Sequence, residues 1–307
     1  MSAGFSLRRP LRLTELSARF GGTLDTEIAE RSVDRIVAPG LGLTTSDLVL
    51  VGSPRFLSEA SSSAGPILCP PELAARIAAG SRWIHPHADW VLAELLDDLP
   101  PNDANSEIAA DAVISPGAVV LQGARIGAGS EVGGQRVRVG AGAVIGRPGF
   151  GWVRSPEGRP RRMPQLGGVV IDDDVEIGAL CTIDAGTLSP TRVGAESKLD
   201  AQIHVGHNVQ IGRCCLIAAQ SGFAGSVVLE DGVQVGGQVG VKDRVRVGAG
   251  ARLAAKSGVI ADVPPGATVA GFPAVPKARW RCRRAPRRSA RCGRSSGAPS
   301  RPPASAR

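Results

Sequence analysis

Two histidines, His204 and His207, stand in the segment Asp-Ala-Gln-Ile-His-Val-Gly-His-Asn over residues 200–208. An imidazole titrates near neutral pH, so either can take a proton from an attacking nucleophile. Gly225 follows His207 by eighteen residues. In a chain that stacks every eighteen residues, Gly225 lies beside His207. It then offers a bare backbone N–H, the donor a developing oxyanion needs. Asp200, about one hexad before His207, is the carboxylate expected to orient the ring; a plain corner aspartate would read the same. Zinc hydration chemistry is the rival. Zinc needs three or four ligands. Only two histidines fall in the repeat, and Cys214 and Cys215 point opposite ways on a strand. No metal is therefore expected.

The elements that place these residues follow from a six-residue rhythm. Val193, Leu199, Val205, Ile211, Ile217, Phe223, Leu229, Val235, Val241, Val247, Leu253 and Val259 recur without a slip. Neither a helix nor a plain strand has this period; a hexapeptide parallel β-helix does. Each hexad is a short strand and a corner, with the periodic residue inward. Glycines such as Gly206, Gly212, Gly236 and Gly248 are expected to supply the corner angles. No coil buries its own apolar residue, so coils must stack. Three hexads make one triangular coil, which puts His207 at a corner, two residues past the inward Val205.

Earlier hexads begin at Ile108, Ile114, Val120, Ile126 and Val132, slip by one to Val139 and Ile145, and resume at Ile171, Ile177 and Ile183. Breaks at 147–168 and 188–191 leave the core spacing intact on both sides. They read as external loops, which tend to sit at ligand sites. The prism is expected to cap off over 262–266. Residues 1–99 lack the rhythm. Leu13, Leu16 and Phe20 predict a helix ended by Gly21-Gly22. Residues 47–52 and 66–69 read as strands, and 72–79 and 89–99 as helices, the latter apolar through Trp90, Val91, Leu95 and Leu99. The chain thus divides into a small α/β domain (1–99), a linker (100–107), a left-handed parallel β-helix (108–276) and a tail (277–307). The fold class is mainly β.

Composition agrees. Glycine is 40 of 307 residues and aromatics 3%, which suits thin strands around a narrow core. There is no membrane-length apolar run and no signal-peptide pattern, so a cytoplasmic protein is expected. The six cysteines lack metal or scaffold spacing and read as mostly buried thiols. His85 and His87 read as loop residues. The net charge of +8 is misleading as an average. Residues 277–307 hold 11 basic and no acidic residues, which leaves 25 basic against 28 acidic elsewhere. That Arg-, Ser- and Pro-rich tail reads as disordered.

Further segments carry a resemblance: Phe-Gly-Trp at 150–152, Glu-Ile-Gly-Ala-x-x-Thr-Ile-Asp at 176–184, Gln-Ile-His-Val-Gly-His-Asn at 202–208, Gln-Ser-Gly-Phe-Ala-Gly-Ser at 220–226, and Pro-Pro-Gly-x-x-Val-Ala-Gly-Phe-Pro at 264–273. Over residues 10–280 the chain resembles the UDP-3-O-(3-hydroxyacyl)glucosamine N-acyltransferases of lipid A biosynthesis. The resemblance implies transfer of an (R)-3-hydroxyacyl group from acyl carrier protein to the 2-amino group of a UDP-glucosamine derivative. It implies a homotrimer with sites between neighbouring prisms and no bound cofactor. His207 matches the family's general base and Gly225 its oxyanion donor. Phe56, Ser53, Asp200, His204, Asn208 and Arg244 fall at positions implied to meet substrate. Four departures stand out, one being a prism before Phe150 that is shorter than the family's. Leu50 replaces one of two aromatics that hold the uracil, and Arg244 replaces a second histidine. The Arg-rich tail stands where the family has a C-terminal helix. Two alternatives stay open. One is a same-fold acyltransferase for another nucleotide amino sugar. The other is a non-catalytic sugar-nucleotide-binding relative.

Overall fold

The computed structural model describes residues 5–41, 44–97, 99 and 108–277. The expected linker and nearly all of the tail lie outside them.

The N-terminal part is a six-stranded sheet with short helices. In chain order its elements are β1 (Phe5–Arg12), α1 (Leu13–Phe20), β2 (Thr23–Leu24), β3 (Ser32–Val37), β4 (Asp47–Leu50), α2 (Leu57–Ala60), β5 (Ile67–Cys69), α3 (Pro71–Ala74), β6 (Arg82–Ile84) and α4 (Ala88–Asp97). The strand order is β1-β3-β4-β5-β6-β2, parallel from β3 to β6 and antiparallel at both edges. Helix α1 buries Leu13 and Leu16 and ends where Gly21, at φ 88°, donates its N–H to Ser17 O at 2.8 Å. The helix expected over 72–79 is only α3. Beyond it the Arg76 and Ile77 N–H groups close back on Leu73 O and Ala74 O, three residues away, and Gly80 follows at φ 87°. These tight turns do not continue an α-helix. Helix α4 buries Val91, Leu92, Leu95 and Leu96, while Trp90 packs only at the edge of that core. Strands β1 and β3 escape sequence reading because arginines interrupt their apolar residues, and β6 because it is only three residues long.

The rest is a parallel β-helix of three sheets with seven, nine and seven strands. The hexad residues point inward into one continuous core from Ile126 to Val269. Its first coils are open: Ile114 and Val120 are only partly buried and Ile108 is 46% exposed. The coils do not stop at 262–266. Val263 bridges to Val247, and Thr268–Ala270 pairs with the strand at Arg252–Leu253, so both Val263 and Val269 enter the core.

The corner glycines act differently from expectation. The left-handed positions are mostly held by other residues, among them Gln202, Asn208, Cys214, Gln220, Ser226, Gln238 and Arg244, with φ from 54° to 61°. Gly206 and Gly236 are needed instead for coil-to-coil approach. A Cβ there would come within 2.8 Å of Phe223 O and 2.5 Å of Ala255 N respectively.

Both insertions leave the prism at one corner. The strands Val144–Arg147, Thr182–Asp184 and His204–Val205 stack in one sheet. The long insertion follows the first and the short one follows the second. They therefore overhang the corner after the third, where His207 lies. The long insertion carries a hairpin, Trp152–Arg154 against Pro160–Arg162. It docks on α4, where Arg161 pairs with Glu94 and Asp97 at 2.8 and 2.7 Å. Met163, Leu166 and Leu188 pack against the N-terminal core.

Candidate active site

His204 pairs in register with Gly222, and Val205 with Phe223. His207 and Gly225 therefore fall one above the other, as the eighteen-residue spacing predicts. A Cβ on Gly225 would lie 2.6 Å from both Cε1 and Nε2 of His207. The Gly225 carbonyl accepts from the Arg244 N–H at 3.0 Å. Its own N–H makes no hydrogen bond among the described residues.

Asn208 fixes the half-buried ring of His207. Its Oδ1 lies 3.1 Å from His207 Nδ1 and also accepts from Thr187 N–H (3.1 Å) and Thr187 Oγ1–H (2.9 Å); its Nδ2 donates to Ser189 O at 3.1 Å. These partners identify Oδ1 as the amide oxygen, which only accepts. The proton is then on Nδ1, and Nε2, beside Gly225, keeps a free lone pair. The Asn208 N–H donates to Thr191 Oγ1 at 2.9 Å. The short insertion thus locks the residue that orients His207. Sequence reading placed Asn208 at substrate; the structure makes it the ring's anchor.

Asp200 does not orient His207. It stands at a different corner, after the strand Lys198–Leu199, where its Oδ1 accepts the Ala201 N–H at 2.7 Å. There it lines an open trough of about 820 Å³ on the nine-stranded face, with Lys198, Leu216, Gln234 and Arg252. That trough is not the one holding the histidines.

Asp184 is the carboxylate beside the histidines. It is 1% exposed; its Oδ1 is 2.8 Å from Arg147 Nε and its Oδ2 is 3.8 Å from His204 Nε2. Burial pushes its carboxyl above the ordinary value, against the pull of Arg147, His204 and His207. His204 Nδ1 sits 2.8 Å from Thr182 Oγ1. Burial draws the His204 imidazole below its ordinary value, and Asp184 opposes this. Aligning the inward Ile183 with the inward Val205 across the insertion would have revealed Asp184.

Below His204 the outward positions of the same sheet are glycine. Gly222 and Gly240 have nothing within 4 Å of a Cβ, and the Phe272 ring lies over Gly258. Phe150 and Phe272 are 83% and 85% exposed. The remaining expected substrate residues are separate. Ser53 is buried and Phe56 exposed in the turn after β4, which reaches the prism through Arg55, 3.9 Å from Asp262. Leu50 packs at the N-terminal core. Arg244 stands at the His207 corner, two coils on. His85 is buried; its Nδ1 accepts the His87 N–H at 2.9 Å, so Nε2 carries the proton and donates to Phe20 O at 3.0 Å. That is a structural histidine. No helix among the described residues is long and apolar enough to cross a membrane.

No protein-family model matches the chain. Among solved structures it is similar to a UDP-N-acetylglucosamine acyltransferase from Campylobacter jejuni, with 26% identity, 55% of this chain and 73% of that chain covered, and a TM-score of 0.46. Among curated proteins it is 48% identical over 147 residues to the UDP-3-O-acylglucosamine N-acyltransferase of Caulobacter sp. (strain K31), covering 48% of this chain and 43% of that protein. The protein of the same name from Methylobacterium sp. (strain 4-46) is 50% identical over 147 residues, with 48% and 42% covered. The matched stretch is therefore less than half the length of either relative. Over that stretch the chain is a homologue of proteins named UDP-3-O-acylglucosamine N-acyltransferase, the family its motifs resemble.

Proposed function

We propose that the chain is an N-acyltransferase that moves a (R)-3-hydroxyacyl group from acyl carrier protein to the 2-amino group of UDP-3-O-acylglucosamine. One observation carries this reading: the free lone pair of His207 Nε2 faces a glycine whose N–H is unused. The acceptor nitrogen attacks the thioester carbonyl and gives its proton to His207 Nε2. The tetrahedral oxyanion is met by the Gly225 N–H. The C–S bond then breaks, and the imidazolium returns the proton to the departing thiolate. Products are the amide and the free carrier thiol. The relatives' names support the acceptor.

In this reading residues 1–99 hold the nucleotide through Ser53 and Phe56, and 108–276 carry the transfer. Arg244 meets phosphate. The enzyme works in the cytoplasm as a homotrimer, whose neighbour covers the exposed Phe150 and the glycine trough. Leu50 favours a second reading, an acceptor other than the glucosamine derivative, because it is packed into the core and offers the base no ring to stack on.

The test is incubation with 3-hydroxyacyl carrier protein and a panel of UDP-amino sugars, read by mass spectrometry. The expected product is the 2-N-acylated UDP-3-O-acylglucosamine. Acylation of another amino sugar alone would establish the second reading, and no product with any acceptor would overturn both.

A further inference from the structure

The short insertion begins at a buried carboxylate that neither the expected site nor the proposed transfer uses. Asp184 ends the strand that pairs with His204–Val205, so it stands beside Gly206 and one coil from His207. Gly149 of the long insertion closes over it: a Cβ there would come within 2.3 Å of Asp184 Oδ2. Arg147 Nε is close to Oδ1, yet no well-aligned hydrogen bond reaches either carboxylate oxygen. A buried, under-satisfied anion is costly to keep and is retained where its charge is needed. The need here is the positive charge that His207 acquires on accepting a proton.

We propose that Asp184 is the positioning residue that compensates the charge formed on His207, with Arg147 limiting how much of its own charge is available. The proposal rests on the reading of His207 as the base. The charged and titratable groups around His207 are Asp184 and Arg147 on the preceding strands and His204 on its own strand. Arg162, on the hairpin, donates to Gly149 O at 3.1 Å. Arg244 lies two coils on. Asp184 is the anion one coil away; Asp243 stacks two coils on, beyond Gly225. Losing Asp184 disfavours the imidazolium, so the His207 titration moves to lower pH. Losing Arg147 removes a nearby cation that opposes a second positive charge, and moves the His207 titration to higher pH.

The experiment is NMR titration of the histidine rings in the full chain, as wild type, Asp184→Asn and Arg147→Gln. His204→Gln and His207→Gln variants assign the signals. The His207 midpoint should fall by about one pH unit in Asp184→Asn, the scale of a nearby opposite charge. It should rise in Arg147→Gln. The acid limb of kcat/KM should move in the same directions, because the base acts deprotonated. A merely structural role would lower the plateau of both profiles and leave the limb in place. An unmoved His207 midpoint overturns the proposal. The arginine side chain is 42% exposed, so Arg147→Gln decides the matter even where Asp184→Asn fails to fold. A chain that transfers no acyl group refutes the proposed function, and the ring titration still reports on Asp184.

Discussion

The His207 imidazole occupies the space that a side chain on Gly225 would fill. A Cβ on Gly225 would lie 2.6 Å from Nε2, the atom left without a proton by the Asn208 contact. Glycine here is a requirement of the ring and not of the backbone, since Gly225 is not among the residues of positive φ.

Gly225→Val should therefore push the imidazole out of place and obstruct the N–H. Turnover should fall by about 10²-fold or more, the scale of losing an oxyanion donor. Phe223 and Leu229 keep their inward places, so the fold should persist. Calorimetry with the UDP-sugar should show binding largely retained. Normal turnover would disprove the pairing.

His207→Ala should lower kcat by about 10²- to 10⁴-fold, the usual contribution of a general base. The ring is half-buried at a corner and outside the core, so the melting temperature should change little. A variant keeping a third of its activity would remove His207 from the role.

Asn208→Gly separates orientation from backbone strain. Asn208 has φ 60°, which glycine adopts freely. The variant loses the His207 contact and the three hydrogen bonds to Thr187 and Ser189. Activity should drop by about tenfold or more as the tautomer is released, by analogy with removing an orienting partner. Stability should fall by about 1–3 kcal/mol, the range for unmade buried hydrogen bonds. Denaturant melts and initial rates measure the two effects. Unchanged rates alongside lowered stability would make Asn208 an anchor of the loop alone.

Asp184→Asn should raise stability at neutral pH. Burial holds the Asp184 carboxyl above its ordinary 3.8. Stability from such a group is fully present below the unfolded value and is lost as pH rises through the folded value. The asparagine variant escapes that loss. Its melting temperature should match wild type near pH 3 and exceed it at pH 7. A variant less stable than wild type at pH 7 would show that the Arg147 pair outweighs the cost of burial.

The repeat was legible because a six-residue period needs no long-range information. Each hexad carries its own inward residue, so Val205 and Phe223 declare their stacking wherever the chain runs unbroken. The same arithmetic placed His207 beside Gly225. It failed wherever an insertion intervened. Asp184 and His207 are separated by the short insertion, and counting back from His207 led to Asp200, which sits at another corner. The roles of the corner residues were also hidden. Whether a glycine is needed for its φ or for the approach of the next coil depends on atoms one coil away, as at Gly206 and Phe223 O. The sequence alone determined the prism, its period and the stacking of Gly225 on His207. The tertiary structure decided that both insertions leave the corner of His207, that Asn208 selects its tautomer, and that Asp184 supplies the nearby charge. The reason is that local spacing sets which face a residue takes, whereas a ring's partners come from loops whose landing point no local pattern encodes.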